Sequence, residues 1–171
     1  MKKNIYETLF IKPSIPKKTW NEIPIKNESE LKSFIWKNMY WFEEIICKIF
    51  NFTRIDFLDF EYSPGASKKR FDLAFRHGED IIIVELKYGY GSESSKAYYQ
   101  LQEYEDIITK DYVNKVYKVL ITTHLTKGII ELFKKEKNKT GIILLSKSDI
   151  HNIEHLHCIN WNKTRYGFIY E

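Results

Sequence analysis

The chain has 171 residues, of which 43% are hydrophobic and 29% are charged, with a formal net charge of +4. This length suits one domain, and the apolar fraction is high enough for a core, so a wholly disordered chain is excluded. No apolar run approaches the roughly 20 residues of a membrane-spanning helix, and the first residues lack the apolar stretch of a secretory signal. The positive charge permits a polyanionic partner but does not require one.

The two cysteines, Cys47 and Cys158, are too few for a disulfide framework or a structural zinc site. We therefore expect reduced thiols in a cytoplasmic protein, or in the host cytoplasm if the chain is viral. His151, His155 and His157 lie near Cys158, but their spacing matches no established pattern of zinc ligands.

Three of the four prolines fall in residues 1–26, which predicts an extended N-terminal arm, and 27–171 are then expected to form a single domain. Residues 28 to about 50 are predicted to form one helix, because Asn27 can cap it and Glu30 is placed as the capping-box partner. Its apolar residues recur at helical spacing and form one stripe: Leu31, Phe34, Ile35, Met39, Phe42, Ile45, Ile46 and Ile49.

Three strands are predicted next, at about 56–62, 70–76 and 80–87. Residues 76–80 contain a glycine and polar residues that suit a turn, so the second and third strands should form an antiparallel hairpin. The run from Ile81 to Val84 is apolar at every position. A strand that is apolar on both faces is typical of the centre of a sheet that is covered on both sides.

Helices and strands alternate in the remainder of the chain. The pattern predicts a helix at about 95–110 capped by Ser94 or Ser95, a strand at 117–122, a helix at about 127–137 capped by Thr126, and a strand at 141–145. The charged run 134–137 is interpreted as a solvated helix end. The β-α-β order implies parallel pairing, so the expected fold is α/β, a mixed sheet flanked by helices. Residues after 150 carry no clear pattern.

Three charged residues stand out within the predicted hairpin. Asp72 lies in one strand, and twelve residues separate it from Glu85, which is followed at a spacing of two by Lys87. Residues two apart in a strand share a face, so Glu85 and Lys87 should point to the same side. Two carboxylates and an ammonium at the end of a buried strand are costly unless they are paired or bind an ion.

A divalent cation would offset this cost, because Mg²⁺ binds one or two carboxylates together with waters and phosphate oxygens. The backbone carbonyl of Leu86 is a further candidate ligand. Lys87 could then hold or deprotonate a nucleophile, or neutralise the phosphate, which together suit phosphodiester hydrolysis. The alternative is an ordinary salt bridge between Glu85 and Lys87 on a solvated face, since short motifs of common residues often occur by chance.

At these residues the chain resembles the PD-(D/E)xK nuclease superfamily, and most of all the C-terminal catalytic domain of NucS-type endonucleases. The likeness covers about residues 27–147 and rests on five segments in the expected order. They are Asn27-Glu28-Ser29-Glu30-Leu31 with Phe34, Ile35 and Asn38; Arg70-Phe71-Asp72-Leu73; Val84-Glu85-Leu86-Lys87; Gln100-Leu101 with Tyr104; and Leu125-Thr126-Lys127-Gly128.

The resemblance implies a restriction-endonuclease-like fold and a deoxyribonuclease dependent on Mg²⁺ or Mn²⁺. It assigns metal binding to Asp72 and Glu85, catalysis to Lys87, and a site role to Glu28. Independently, Glu28 precedes Leu31 by three residues and so lies on the apolar stripe, although acids are also common in a first helical turn. Gln100 borders the apolar face of its helix and is a further candidate, with a surface amide as the alternative.

Several features leave the substrate open. Only 26 residues precede the predicted domain, too few for the N-terminal DNA-binding domain of the NucS enzymes, and Tyr88-Gly89-Tyr90-Gly91 follows Lys87 where those relatives are more basic. Lys68, Lys69 and Arg70 could contact DNA phosphates, or could be a solvated charge run.

The function that the sequence predicts is endonucleolytic cleavage of DNA, with a homodimer cutting both strands. The alternatives are a nucleic-acid-binding or interaction module without catalysis, and a ribonuclease on the same fold.

Overall fold

The computed structural model describes residues 25–63, 69–89, 93–108, 113–147, 153–161 and 167–169. Of the predicted N-terminal arm, only residues 25 and 26 fall within these ranges. Ile25 is fully buried there, in the same apolar cluster as the first helix.

Four helices and seven strands make up the described fold. In chain order they are α1 (Glu28–Lys37), α2 (Met39–Phe50), β1 (Asp56–Tyr62), β2 (Phe71–His77), β3 (Asp80–Lys87), α3 (Glu93–Ile108), β4 (Val116–Thr122), α4 (Lys127–Lys134), β5 (Thr140–Lys147), β6 (Ile153–Asn160) and β7 (Gly167–Ile169). The last two strands lie after residue 150, where no element was predicted.

The strands form one mixed sheet in which spatial order follows chain order, from β1 to β7. β2 pairs antiparallel with both β1 and β3, which confirms the predicted hairpin. The pairs β3–β4 and β4–β5 are parallel, as the β-α-β order predicts, and the last two pairs are antiparallel again. β3 is therefore the strand at which the sheet changes from antiparallel to parallel pairing.

Helices cover both faces of this sheet. One apolar cluster joins α1 and α2 to one face, through residues such as Leu31, Phe42 and Val84. A second joins α3 and α4 to the other face, through residues such as Leu101 and Ile83. The expected α/β class, with a mixed sheet between helices and β3 buried from both sides, is confirmed.

The predicted helix over 28–50 is wrong in one respect, because it divides at Asn38. Asn38 leaves the helical backbone region, with φ −121° and ψ 24°, and is buried. Its Nδ2 donates to the carbonyl of Phe34 at 2.9 Å. Asparagine side chains compete in this way with backbone pairing, which explains the break inside a continuous apolar stripe.

The capping predictions have mixed outcomes. The Asn27 side chain accepts from the Glu30 amide at 2.9 Å as predicted, whereas Glu30 Oε2 accepts from the amide of Lys26 at 2.6 Å, one residue before the cap. Thr126 caps α4 as predicted. The cap predicted for α3 is wrong, because the helix begins at Glu93 and so contains both Ser94 and Ser95.

Candidate active site

Asp72, Glu85 and Lys87 meet where β2 and β3 lie side by side. The Lys87 Nζ is 2.7 Å from the Glu85 Oε1. The Asp72 Oδ2 accepts a hydrogen bond of 2.8 Å from the backbone amide of Leu86, which lies between the other two residues. The structure thus brings together the three groups that the sequence singled out.

The strand geometry explains this convergence. Leu73 pairs with Val84 at the end of the β2–β3 ladder. Asp72 and Glu85 are the next residues in the two strands, so they lie side by side just beyond this pair. Ile83 belongs to the apolar cluster of α3 and α4, and alternation places Glu85 and Lys87 on that same side. Leu86 is buried in the opposite cluster, as its position predicts.

Burial disfavours the charged form of both carboxylates. Glu85 is only 3% exposed. This burial, together with the charge of Asp72, raises the pKa of Glu85 to about 7, although Lys87 opposes the shift. Burial also raises the pKa of Asp72, against the stabilising effect of the Leu86 amide and the charge of Lys32. The site therefore holds more negative charge than its own lysine neutralises.

Lys87 is held in its charged form. Burial by itself would lower the pKa of its ammonium, but the hydrogen bond to Glu85 and the charges of Glu85, Glu28 and Asp72 raise it above the usual value. A solvated salt bridge, the alternative left open by the sequence, does not describe this pair, because the side chains are only 13% and 4% exposed.

Gln100 and Tyr104 approach the site from α3. The Gln100 side chain hydrogen-bonds to the Tyr104 hydroxyl, whose pKa is raised to about 12 by burial and by the charges of Glu85 and Asp72. Gln100 also lines a cleft together with Lys87. Phe71 packs edge-on against the Tyr104 ring, with centroids 4.6 Å apart. Gln100 therefore lies beside the site, where its side chain bonds to Tyr104.

Glu28 lies at the first position of α1 and is exposed. Its negative charge raises the pKa of both Glu85 and Lys87, which places it in the electrostatic neighbourhood of the site. The expectation that Glu28 belongs to the site is therefore compatible with the structure, while its role there remains a prediction.

The described residues of the predicted phosphate-binding run are paired with carboxylates. Lys69 forms an ion pair with Glu103 of α3, and Arg70 Nη1 is 3.4 Å from Glu61 Oε2. Lys68 lies outside the described residues. Contact of these residues with DNA stays a prediction.

Lys32 and Glu61 are site neighbours that sequence reasoning missed. Lys32 Nζ lies 3.2 Å from Glu61 Oε1 and 3.9 Å from Asp72 Oδ1. Lys32 follows Glu28 by one helical turn, so its position on the same side of α1 was a usable signal. Glu61 has a φ of 51°, a left-handed conformation near the end of β1 that nothing in the local sequence indicates.

No group of three or more histidine, cysteine, aspartate or glutamate side chains is arranged to hold a metal ion within the described ranges. His151 and the side chains of His155 and His157 lie outside what the structure describes. Cys158 is buried, and burial raises the pKa of its thiol to about 12, so it remains protonated at neutral pH. Neither Cys47 nor Cys158 forms a disulfide within the described part of the chain.

The solved structures that are similar to part of this chain include the following two. One is a complex of EndoMS with dsDNA, 22% identical, with a TM-score of 0.46 over 64% of this chain and 43% of that chain. The other is SfsA of Pyrococcus furiosus in complex with Ca²⁺, 17% identical, with a TM-score of 0.43 over 78% of this chain and 64% of that chain. The chain therefore spans less than two thirds of the length of either protein.

No family model and no curated protein matches the chain. Its assignment to the PD-(D/E)xK superfamily remains a prediction from the motifs. In the part of the chain that the structure describes, every helix is too short or too polar to cross a lipid bilayer.

Proposed function

We propose that this chain is a divalent-cation-dependent deoxyribonuclease that cleaves internal phosphodiester bonds of DNA. One observation carries the proposal: Asp72 and Glu85 converge at the end of a buried strand, with the Lys87 ammonium 2.7 Å from Glu85. Buried ionisable groups whose pKa values are shifted by burial and by one another cluster at functional sites.

The donor set fits Mg²⁺ or Mn²⁺. Both carboxylates offer hard oxygen atoms, and Mg²⁺ needs only one or two protein carboxylates when waters and phosphate oxygens complete its shell. A cation would also offset the repulsion that helps to raise the pKa of Glu85 to about 7. In this proposal Asp72 and Glu85 hold the ion, the Leu86 carbonyl is a third ligand, and Glu28 is a fourth.

When bound, such a cation supplies Lewis-acid chemistry for phosphodiester hydrolysis. The chain's own residues would position the substrate. The Lys87 ammonium, kept protonated by its ion pair with Glu85, would bind a phosphate oxygen and offset the charge that develops on it. Gln100, anchored on Tyr104, would donate its amide to the substrate strand at the mouth of the cleft.

The test is cleavage of supercoiled plasmid and of matched DNA and RNA oligonucleotides, with Mg²⁺ or Mn²⁺ and with chelator. Asp72→Asn and Lys87→Ala should each slow DNA cleavage by roughly 100- to 1,000-fold. Asp56→Asn and Lys48→Ala are matched controls, since both side chains form exposed ion pairs away from the site. These control variants should cleave like the wild type.

Each outcome of this assay decides something. If the wild type cleaves no better than Asp72→Asn on any substrate, the chain is not a nuclease and a binding module is the better interpretation. Cleavage of RNA alone would replace the DNA assignment. A single site per chain cuts one strand, so accumulation of linear plasmid without a nicked intermediate would support the proposed homodimer.

A further inference from the structure

A cleft of about 620 Å³ continues from Lys87 and Gln100 along the surface of α3, and the other described residues that line it are Lys96, Tyr99 and Glu103. Two of these five described residues therefore belong to the candidate active site. A strand bound at the site would enter this cleft on leaving it, so the remaining three residues indicate what that strand encounters.

The charge of the cleft favours an anionic ligand. Its carboxylate, Glu103, is already paired with Lys69. Lys96 is exposed and forms no ion pair with any described residue. An ammonium group one helical turn from Gln100 suits the phosphate that neighbours the scissile one.

Tyr99 is a large exposed aromatic residue whose side chain is held in position. The residue is 62% exposed, yet its ring meets that of Tyr98 edge-on, with centroids 5.5 Å apart and planes at 80°. Tyr98 is in turn fixed from below, because its ring packs against Phe133 at 5.4 Å and its hydroxyl lies 3.4 Å from Glu136. A pre-positioned ring loses little conformational freedom when a flat ligand stacks on it.

We infer that Tyr99 is a stacking platform for an unpaired base of the substrate strand, adjacent to the scissile phosphate. The inference rests on the proposed function and deepens it by naming the substrate form. Every base offers a π face, so such a platform is tolerant of sequence. A base inside a duplex already has neighbours on both faces, so the platform favours single-stranded or unpaired DNA over intact duplex.

The experiment measures binding without cleavage. Fluorescence anisotropy in chelator would compare a single-stranded oligonucleotide with its duplex, and a 2-aminopurine base in the single strand would report stacking. Tyr99→Ala should weaken single-strand binding by roughly 5- to 100-fold, abolish most of the 2-aminopurine quenching, and change duplex binding little. Tyr99→Phe, which keeps the ring, should restore both signals.

Tyr40→Ala is the matched control, because Tyr40 is 69% exposed and its ring meets Trp41 at 5.6 Å, but it does not line the cleft. It should bind both DNA forms like the wild type. Equal effects of Tyr99→Ala on both forms, no effect on either, or the same loss in Tyr40→Ala would each overturn the inference.

The two proposals fail separately. Stacking by the wild type together with no cleavage would reject the nuclease and retain the platform. Active cleavage with unchanged single-strand binding by Tyr99→Ala would retain the nuclease and reject the platform.

Discussion

Two clusters of lysines and acids lie on the same face of the sheet, one strand apart, and they are built differently. In the first, the site cluster of Asp72, Glu85 and Lys87, the single ammonium pairs with Glu85 at 2.7 Å, while among the described cations Asp72 has only Lys32 of α1 at 3.9 Å. In the second, the Lys118 cluster, the fully buried Lys118 of β4 pairs with Glu105 and Glu136, and Lys139 Nζ is 3.4 Å from Glu105. The register places Lys118 beside Ile83 of β3, two residues before Glu85.

The pKa shifts show the consequence of this difference. In the site cluster, burial and mutual repulsion raise the pKa of Glu85 to about 7. In the Lys118 cluster, burial also acts to raise the pKa of Glu136, but the hydrogen bond and charge of Lys118 and a hydrogen bond from Gln102 lower it overall. A charge-balanced, hydrogen-bonded cluster joins α3 and the end of α4 to the sheet. The unbalanced cluster is suited to binding a cation.

The two clusters should differ most in how much their lysine contributes to the free energy of unfolding. Lys118→Ala should lower the free energy of unfolding by about 3–5 kcal/mol, because it leaves two partly buried carboxylates without their shared cation. Lys87→Ala at pH 6 should cost about 1 kcal/mol or less, because Glu85, with a pKa of about 7, already holds a proton at that pH, and the loss of Lys87 raises its pKa further. Urea unfolding at equilibrium measures both.

Should Lys118→Ala fail to fold, Glu136→Gln gives a milder test, with an expected loss of roughly 1–3 kcal/mol. Equal losses for Lys118→Ala and Lys87→Ala would show that the two clusters do not differ in their contribution to the fold.

The two clusters should also give opposite pH dependences in metal-free protein. The pKa of Glu85 is about 7 in the folded state against an ordinary 4.5. Between these values the folded protein binds a proton that the unfolded chain has lost, so this contribution is complete below pH 4.5 and is lost as pH rises through 7. At a worth of roughly 1.4 kcal/mol per pKa unit, it amounts to about 3 kcal/mol at most.

The contribution of Glu136 to stability changes with pH in the opposite direction. Its pKa is lowered in the folded state, so its stabilising contribution is present above its ordinary pKa of 4.5 and is lost as pH falls through the folded value. Urea unfolding from pH 3 to 8 measures both effects. The free energy of unfolding of the wild type should fall as pH rises from 5 to 7, and this fall should be absent in Glu85→Gln. It should also fall as pH drops below 4.5, and this fall should be smaller in Glu136→Gln. An unchanged profile in Glu85→Gln would contradict the raised pKa.

The site cluster could be predicted from the sequence, whereas the Lys118 cluster could not. Glu85 and Lys87 are two residues apart, and a short turn links their strand to that of Asp72, so local rules of strand alternation and hairpin pairing were enough to bring them together. Lys118 is 13 residues from Glu105 and 18 from Glu136. No local sequence pattern indicates which carboxylates of the covering helices will pack against a lysine in a buried strand.

The same reason explains two other misses. Glu136 falls in the charged run 134–137, which the sequence presents as a solvated helix end, but the chain turns after α4 and directs this side chain towards Lys118. The division of the first helix at Asn38 depends on a buried side chain that bonds to Phe34. In each case a tertiary contact outweighs a local preference.

Divalent cations should have a small but selective effect on stability. If Mg²⁺ or Mn²⁺ binds the folded site cluster alone, a concentration ten times the Kd adds about 1.4 kcal/mol, or roughly 3–6 °C in Tm. The gain should be larger at pH 8 than at pH 6, because a cation must displace the proton that Glu85 holds below pH 7. Asp72→Asn should remove the gain, and Glu105→Gln, in the Lys118 cluster, should keep it. A Tm increase that survives in Asp72→Asn would place the cation elsewhere, and the unbalanced charge at Asp72 and Glu85 would then need a different explanation.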